Sequence, residues 1–267
     1  MSESHDEIED SRAPLIEHLI ELRARLIKSL IAFLIMFVIC FGFAKEIYNI
    51  LVFPYVMAAG EGSAIELIYT APLEYLFTQI KIAVFGASFC SFPIVATQIY
   101  KFVAPGLYKN EREAFRPYLV ATPLLFLLGA SVVFFIAMPV VMKFSIGMQQ
   151  AAGDNSAAIK LLPKVSEYLS LIMTLIFAFG VTFQLPVVLT LLARAGFIDS
   201  QFLKEKRRYA VVLVFILAAV LTPPDVISQL SLAIPAWGLY ELSIFAVMMV
   251  EKKKSAADTP TTDLPSV

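Results

Sequence analysis

The sequence predicts an all-α membrane protein with six transmembrane helices in a curved, concave arrangement and both termini in the cytoplasm. Hydrophobic residues make up 59% of the chain and charged residues 16%, with a mean hydropathy of +0.78, whereas soluble domains carry roughly 25% charged residues. Six long apolar runs separate seven polar pieces. Of the 21 Lys and Arg residues, 16 lie in the first, third, fifth and seventh pieces, four in the others, and one, Lys81, inside the helix of the second run. This alternation is typical of multi-spanning proteins with basic cytoplasmic loops.

The first element is expected to be an amphipathic cytoplasmic helix within residues 1–25. Leu15, Ile16, Leu19 and Leu22 recur at helical spacing, which favours a helix lying at the membrane interface. The segment Met1–Asp10 is acidic and polar, unlike a signal peptide. The first span is therefore expected to act as its own insertion signal.

The apolar runs define a transmembrane domain at residues 26–250, followed by a disordered, polar cytoplasmic tail at 251–267. About 20 residues cross a hydrocarbon core of about 30 Å. The fifth run has only 14 residues before a Pro-Pro pair, or roughly 21 Å of helix, and polar residues and a proline interrupt the sixth. We expect helices five and six to be short and the bilayer to be thin beside them. The runs are Leu26–Ala44, Ile82–Tyr100 (its helix beginning near Pro72), Pro117–Met142, Tyr168–Ala193, Tyr209–Thr222 and Val226–Val250.

Prolines and small residues suggest how the helices pack. Prolines inside several runs tend to kink helices, which favours a curved wall over a straight bundle. Gly129 with Ser131, and Gly180 with Thr182, offer small surfaces for close helix contact.

Three polar residues lie in or beside the later spans: Gln184, Asp225 and Glu241. Ionisable groups in hydrocarbon are costly and usually functional. Other readings stay open from the residues alone. Gln184 could form an inter-helix hydrogen bond, Asp225 could cap the sixth helix, and Glu241 could lie at a shallow depth.

No pattern of an enzyme occurs in the chain. The only histidines are His5 and His18, both outside the spans, and no zinc-protease, nucleophile-elbow or phosphate-loop motif is present. Cys40 and Cys90 lie in apolar runs and read as buried thiols. We therefore expect no catalytic residue, metal, cofactor or nucleic-acid partner. A small-molecule secondary transporter is the alternative, but it would usually show a repeated topology and a charged midplane site.

Several long motifs, in order, carry a family resemblance. The chain resembles the TatC family, the large polytopic subunits of the twin-arginine protein translocase, from about Pro14 to Val250. The motifs are HLIELR at 18–23, FVAPGLYKNER at 102–112, FAFGVTFQLPV at 177–187, KRRY at 206–209 and LTPPDVISQ at 221–229.

The resemblance implies a receptor subunit in a translocase. Family members recognise twin-arginine signal peptides and, with the single-span proteins TatA and TatB, export folded proteins by using the proton motive force. It implies a multi-pass protein of the cell inner (cytoplasmic) membrane, surrounded by lipid, that associates with copies of itself in the complex.

The resemblance also implies a signal-peptide site. Glu21 and Glu111 correspond to the cytoplasmic acids that contact the two arginines, and Phe102 and Arg23 match residues that support them. A carboxylate pair suits this ligand, because guanidinium and carboxylate form bidentate, charge-assisted hydrogen bonds.

Other motif positions imply further roles. Pro54 falls in the first outer loop, which the family needs for function. Thr222, Asp225 and Gln229 match a turn and polar edge where partner spans dock. Gln184 stands where many members carry glutamate, and glutamine keeps the hydrogen bonding but cannot titrate.

Overall fold

The computed structural model describes residues 3–60, 65–107, 112–150, 158–221 and 226–257. In these ranges every regular element is a helix. Two isolated β-bridges, Ile68 with Lys164 and Gln150 with Ile159, do not extend into strands. The predicted all-α class is therefore confirmed. In chain order the helices are α1 Glu3–Gly42, α2 Ala44–Ala59, α3 Glu74–Leu107, α4 Arg112–Val132, a π-helical turn Val133–Ala137, α5 Met138–Gly147, α6 Val165–Thr182, α7 Leu185–Arg194, α8 Ser200–Glu205, α9 Arg207–Leu221 and α10 Val226–Ala257.

The helices fall into two compact units. The first comprises Met1–Ile50 and Leu73–Pro123, and the second comprises Leu51–Pro72 and Leu124–Val267. In the first unit α1 packs along α3; in the second α10 packs on α7, α8 and α9.

Within the described ranges, five helical segments are long and apolar enough to cross a membrane. The chain is thus a multi-pass membrane protein. Helix α9 has only 15 residues, about 22 Å, so the predicted shortness of the fifth helix is confirmed and the six-span count stays a prediction. The five segments are Ile16–Gly42, Glu74–Phe102, Pro117–Gly147, Val165–Arg194 and Val226–Lys252.

The prediction of a short sixth helix is wrong. Helix α10 runs for 32 residues and passes through Pro235 without a break. A proline removes one backbone hydrogen bond and kinks a helix, but neighbouring helices can support it in a membrane protein. Gln229 and Glu241 do not interrupt the helix either, because each has a partner on a neighbouring element.

The amphipathic segment at the N-terminal end is helical, as predicted, but it is not a separate helix. Helix α1 continues from Glu3 to Gly42 without interruption. The same helix therefore carries the HLIELR motif and the first apolar run, so the motif's position follows directly from the packing of the first span.

Two prolines mark irregular points in the third and fourth runs. Pro139 has no N–H for the carbonyl of Phe135, and the wider π-helical turn Val133–Ala137 lies at this place. Pro186 follows the break between α6 and α7, where Phe183 and Gln184 form a turn. These breaks are local, since helical backbone resumes at once on both sides.

Helices α4 and α6 approach each other through the two predicted glycines. A Cβ atom on Gly129 would lie 2.8 Å from the carbonyl oxygen of Phe179, and one on Gly180 would collide with the ring of Phe126. Both phenylalanines are fully buried. Glycine is required at these positions because the facing backbone and ring leave no room for a side chain.

We expect Gly129→Ala to lower the free energy of unfolding by about 1–3 kcal/mol, because the added methyl group meets backbone rather than a flexible side chain. Gly238→Ala is the matched control, since no atom lies within 4 Å of its added Cβ. It should hold or raise stability, because alanine favours a helix over glycine. The thermal unfolding midpoint in one detergent checks both, and equal midpoints for Gly129→Ala and wild type would contradict the contact.

Candidate functional site

Two motif residues from distant parts of the chain meet in the first unit. The imidazole ring of His18 on α1 stacks on the ring of Phe102 on α3, with ring centroids 4.2 Å apart and an angle of 20° between the planes. Farther along the same helix pair, a Cβ on Gly86 would lie 3.0 Å from the sulfur of Cys40. The HLIELR motif is therefore held against the start of the FVAPGLYKNER motif by packing at two levels.

Glu21 lies one turn after His18, on the same side of α1. Its Oε1 atom accepts hydrogen bonds from two nitrogens of Arg25, Nε at 3.0 Å and Nη2. Among the described residues, no hydrogen bond reaches the second oxygen, Oε2. The carboxylate is half-buried, with its side chain 34% exposed, and so keeps a free oxygen at an accessible surface.

The structure does not bring Arg23 to this surface. Arg23 is exposed and lies two residues after Glu21, a spacing at which helical side chains point to different faces. Glu111 lies outside the described residues, so its predicted convergence with Glu21 stays a prediction.

Helices α3 and α4, which lie on either side of Glu111 in the sequence, are joined by a side-chain hydrogen bond. The hydroxyl of Thr122 on α4 donates a hydrogen bond to the phenolic oxygen of Tyr100 on α3, at 3.2 Å. Thr122 is fully buried. This bond holds α3 and α4 close together near the loop that connects them.

Gln184 lies in the second unit, at the break between α6 and α7. Its side chain is buried, and Nε2 donates to the carbonyl oxygen of Gly180 at 3.3 Å. At this turn the backbone N–H of Gln184 donates to the carbonyl oxygen of Val181, at 2.9 Å. The amide therefore satisfies a backbone carbonyl close to the irregular turn, which is a structural use of this position.

Gln229 joins α10 to α9, and its Nε2 atom lies 3.4 Å from the carbonyl oxygen of Phe215. It is the one member of the predicted polar edge within the described residues, because Thr222 and Asp225 lie outside them. The contact places a polar side chain beside α9, a helix whose large apolar side chains are mostly exposed.

The other acid of the sixth run, Glu241, has a structural partner. Its Oε2 atom accepts a hydrogen bond at 2.7 Å from Nη2 of Arg207, at the start of α9. The hydroxyl of the next residue back, Tyr240, donates at 2.7 Å to the carbonyl oxygen of Leu203. An ion pair explains why a carboxylate is tolerated in this run.

Sequence reasoning missed Glu251. Its two carboxylate oxygens accept from the backbone N–H and the hydroxyl of Ser200, at 2.7 and 2.6 Å. Asp199 caps α8 by accepting from the N–H of Phe202 at 2.6 Å. Ten residues, or about 2.8 helical turns, separate Glu251 from Glu241, so helical spacing does not link the two acids and gives no signal for the contact with Ser200.

Pro54, assigned to the first outer loop, lies buried inside helix α2. One turn before it, the carbonyl oxygen of Leu51 accepts a hydrogen bond at 2.9 Å from the buried hydroxyl of Tyr168. The rings of Tyr55 and Tyr168 lie 5.6 Å apart, and burial raises the pKa of Tyr55. The segment that carries Pro54 is thus ordered and anchored to α6.

Residues 17–235 match the family model described as "Sec-independent protein translocase protein (TatC)". The chain belongs to the TatC family. It is 43% identical to the Sec-independent protein translocase protein TatC of Magnetococcus marinus over 92% of this chain and 88% of that protein. It is 37% identical to the TatC protein of Escherichia coli strain K12 over 89% of each chain.

A solved structure agrees with these relatives. The crystal structure described as the twin-arginine translocase receptor TatC superposes with a TM-score of 0.75 and 39% sequence identity, covering 88% of this chain and 99% of that one. The predicted family is confirmed, and the chain is a TatC subunit of the Tat protein translocase, which works as a complex with other Tat subunits.

We expect Gln184→Leu to impair translocation moderately, because it deletes a buried hydrogen bond worth on the order of 1 kcal/mol. Gln184→Glu should retain translocation, since a buried carboxyl takes up a proton and its O–H can donate to Gly180 in the same way. Thr190→Val is the control, because among the described residues the hydroxyl of Thr190 bonds within its own helix, to Pro186 and Val187. Export of a reporter cargo measures all three. Wild-type export by Gln184→Leu would reduce this position to packing.

Proposed function

We propose that this chain is the receptor subunit that recognises twin-arginine signal peptides and, together with TatA and TatB, exports folded proteins across the inner membrane by using the proton motive force. Both termini and the basic loops face the cytoplasm in this proposal, as the 16-to-4 division of loop charges favours. Lipid surrounds the spans, and copies of the chain associate in the assembled complex.

The stacking of His18 on Phe102 carries the proposal. It joins two motifs that lie more than 80 residues apart, and Glu111 follows Phe102 by only nine residues. A tether of nine residues reaches at most about 32 Å, since each residue extends the chain by at most about 3.6 Å. In this proposal the loop brings its carboxylate to the side of Glu21 at the cytoplasmic surface.

The chemistry of Glu21 suits an arginine ligand. Arg25 engages Oε1, and no donor among the described residues reaches Oε2, which can therefore accept from a ligand. A carboxylate can accept from two guanidinium groups at once, because each oxygen has two acceptor sites. One arginine of the peptide would bind Oε2 of Glu21, and the other would form a bidentate pair with Glu111.

The second unit supplies the surface for partner proteins in this proposal. Helix α9 is short and mostly exposed, and Gln229 sits at its edge with an amide that can exchange its 3.4 Å contact for a partner's polar group. The short helix would thin the bilayer locally, which would lower the cost of moving a folded cargo. We prefer this function to a secondary transporter, because family membership and the paired motifs both point to a receptor.

We expect Glu111→Ala to abolish binding of a twin-arginine peptide, because losing one carboxylate of a partly desolvated arginine pair costs about 2–5 kcal/mol, roughly 30-fold or more in affinity. Glu21→Ala should weaken binding less, since Arg25 already occupies one of its oxygens. A twin-lysine peptide should bind poorly to wild type, because ammonium cannot form the bidentate fork.

The measurement is peptide binding or crosslinking to membranes that hold each variant at equal amounts. Glu167→Ala is the matched control, since this exposed acid pairs only loosely with Lys164, at 3.7 Å. Full peptide binding by Glu111→Ala would refute the role of Glu111 as an arginine-binding residue. Glu113, two residues further along the chain, would then be the next candidate.

The stacked ring gives a separate prediction. His18→Ala should weaken peptide binding roughly two- to tenfold, because an aromatic pair contributes about 0.5–1.5 kcal/mol beyond its buried area and its loss frees the motif helix. His18→Phe should restore binding, since a phenyl ring can stack on Phe102. Titration with a labelled peptide measures both. If the two variants bind alike, the stack does not position the site.

A further inference from the structure

A groove runs between α1 and α3 in the first unit, away from the motif residues. It has a volume of about 300 Å³ and is lined by Lys28, Ile31, Ala32, Ile35 and Met36 of α1 and Ile94 of α3. Its walls are apolar except at Lys28. Ile31 and Ile35 are each about half exposed and Ile94 is 40% exposed, so the groove opens toward the surroundings of the helices rather than into a sealed core.

The groove lies between the two points at which α1 and α3 touch closely. Along α1, Lys28 comes ten residues after His18, and Met36 comes four residues before Cys40. The interval from Lys28 to Met36 spans eight residues, about 12 Å of helix. The small side chain of Ala32 lies in the middle of this interval and lines the groove.

The charge sits at one end of the groove. Lys28, Ala32 and Met36 recur every four residues and so form one stripe along α1, with Ile31 and Ile35 beside it. A positive head followed by a continuous apolar channel is complementary to a molecule with a negative head and a hydrocarbon tail.

The ammonium group of Lys28 has no acidic partner among the described residues. Glu21, an acid earlier on the same helix, is paired with Arg25. Lys28 also lies inside the candidate span Ile16–Gly42, where an unpaired charge is costly. Its long stem can carry the ammonium toward the headgroup region, and there a lipid phosphate is the anion at highest concentration.

We propose that this groove binds one anionic phospholipid, with its phosphate on Lys28 and one acyl chain along Ala32 and Met36 against Ile94. The lipid fills the space between the two close helix contacts and neutralises the charge at its end. This site is independent of signal-peptide recognition.

The test uses the full chain reconstituted in phosphatidylcholine vesicles that contain a photoactivatable phosphatidylglycerol. Crosslinked peptides, identified by mass spectrometry, should include the α1 segment from Lys28 to Met36 or the α3 segment around Ile94. Unlabelled phosphatidylglycerol should compete, whereas extra phosphatidylcholine and inorganic phosphate should not. Competition by phosphatidylcholine equal to that by phosphatidylglycerol would overturn the proposal.

Three variants separate the parts of the site. Lys28→Gln should reduce the preference for phosphatidylglycerol roughly fivefold, the effect of one basic residue near a membrane surface, and Lys28→Arg should keep it. Ala32→Phe should fill the groove and remove the crosslink. Lys45→Gln and Val38→Phe are the matched controls, because both side chains are exposed and neither lines the groove.

Two further results would contradict the lipid proposal. An unchanged lipid preference in Lys28→Gln, which alters no packing, would exclude the headgroup contact even if Ala32→Phe failed to fold. Labelling of the groove segments by a photoactivatable twin-arginine peptide, without labelling by phosphatidylglycerol, would show that the occupant is a signal peptide and would overturn the lipid assignment.

Discussion

The backbone of a membrane-embedded helix must satisfy its own hydrogen bonds, because hydrocarbon offers no water in their place. Wherever regular helix is interrupted or ends, another donor has to reach the exposed carbonyls. In the second unit that donor is in two places a long polar side chain. Gln184 donates to Gly180 at the break after α6, and Tyr240 donates to Leu203 near the end of α8. Gln229 and Tyr168 donate to the carbonyls of Phe215 and Leu51 inside α9 and α2, and so join neighbouring helices. These two uses explain why polar residues persist in an otherwise apolar sequence.

Patterns that depend on neighbouring residues were predictable from the sequence. Apolar run length predicts the helices, and the interval between Arg208 and Pro223 predicts the shortness of α9, because both reflect how many residues a span needs. The close approach at Gly129 and Gly180 was also predictable, since small residues at helix surfaces mark contacts in membranes. The motifs identified the family for a similar reason, because each is a local pattern of residues.

Contacts between distant residues could not be predicted in this way. Periodicity shows which face of a helix is polar but not what faces it, so the stacking of His18 on Phe102 and the pairing of Glu251 with Ser200 needed the fold. The length of α10 was misjudged because Pro235 and Glu241 read as interruptions when taken alone. Packing supports the proline and Arg207 neutralises the acid, and neither effect is visible in the local sequence.

The carboxylates of the two units differ in how fully the fold uses them. Both oxygens of Glu251 are occupied by Ser200, and Glu241 is paired with Arg207 across two helices. Removing such a carboxylate would leave hydrogen-bond donors at the start of a helix without a partner. The role of these two acids is therefore structural. Glu21 is different, because its partner among the described residues, Arg25, lies on its own helix and engages a single oxygen. An ion pair within one helix contributes only about 0.3–0.5 kcal/mol, so an incoming guanidinium can share this carboxylate at little expense to the fold. A recognition site needs an acid of this second kind, one that is oriented by a weak neighbour but still has an oxygen to offer.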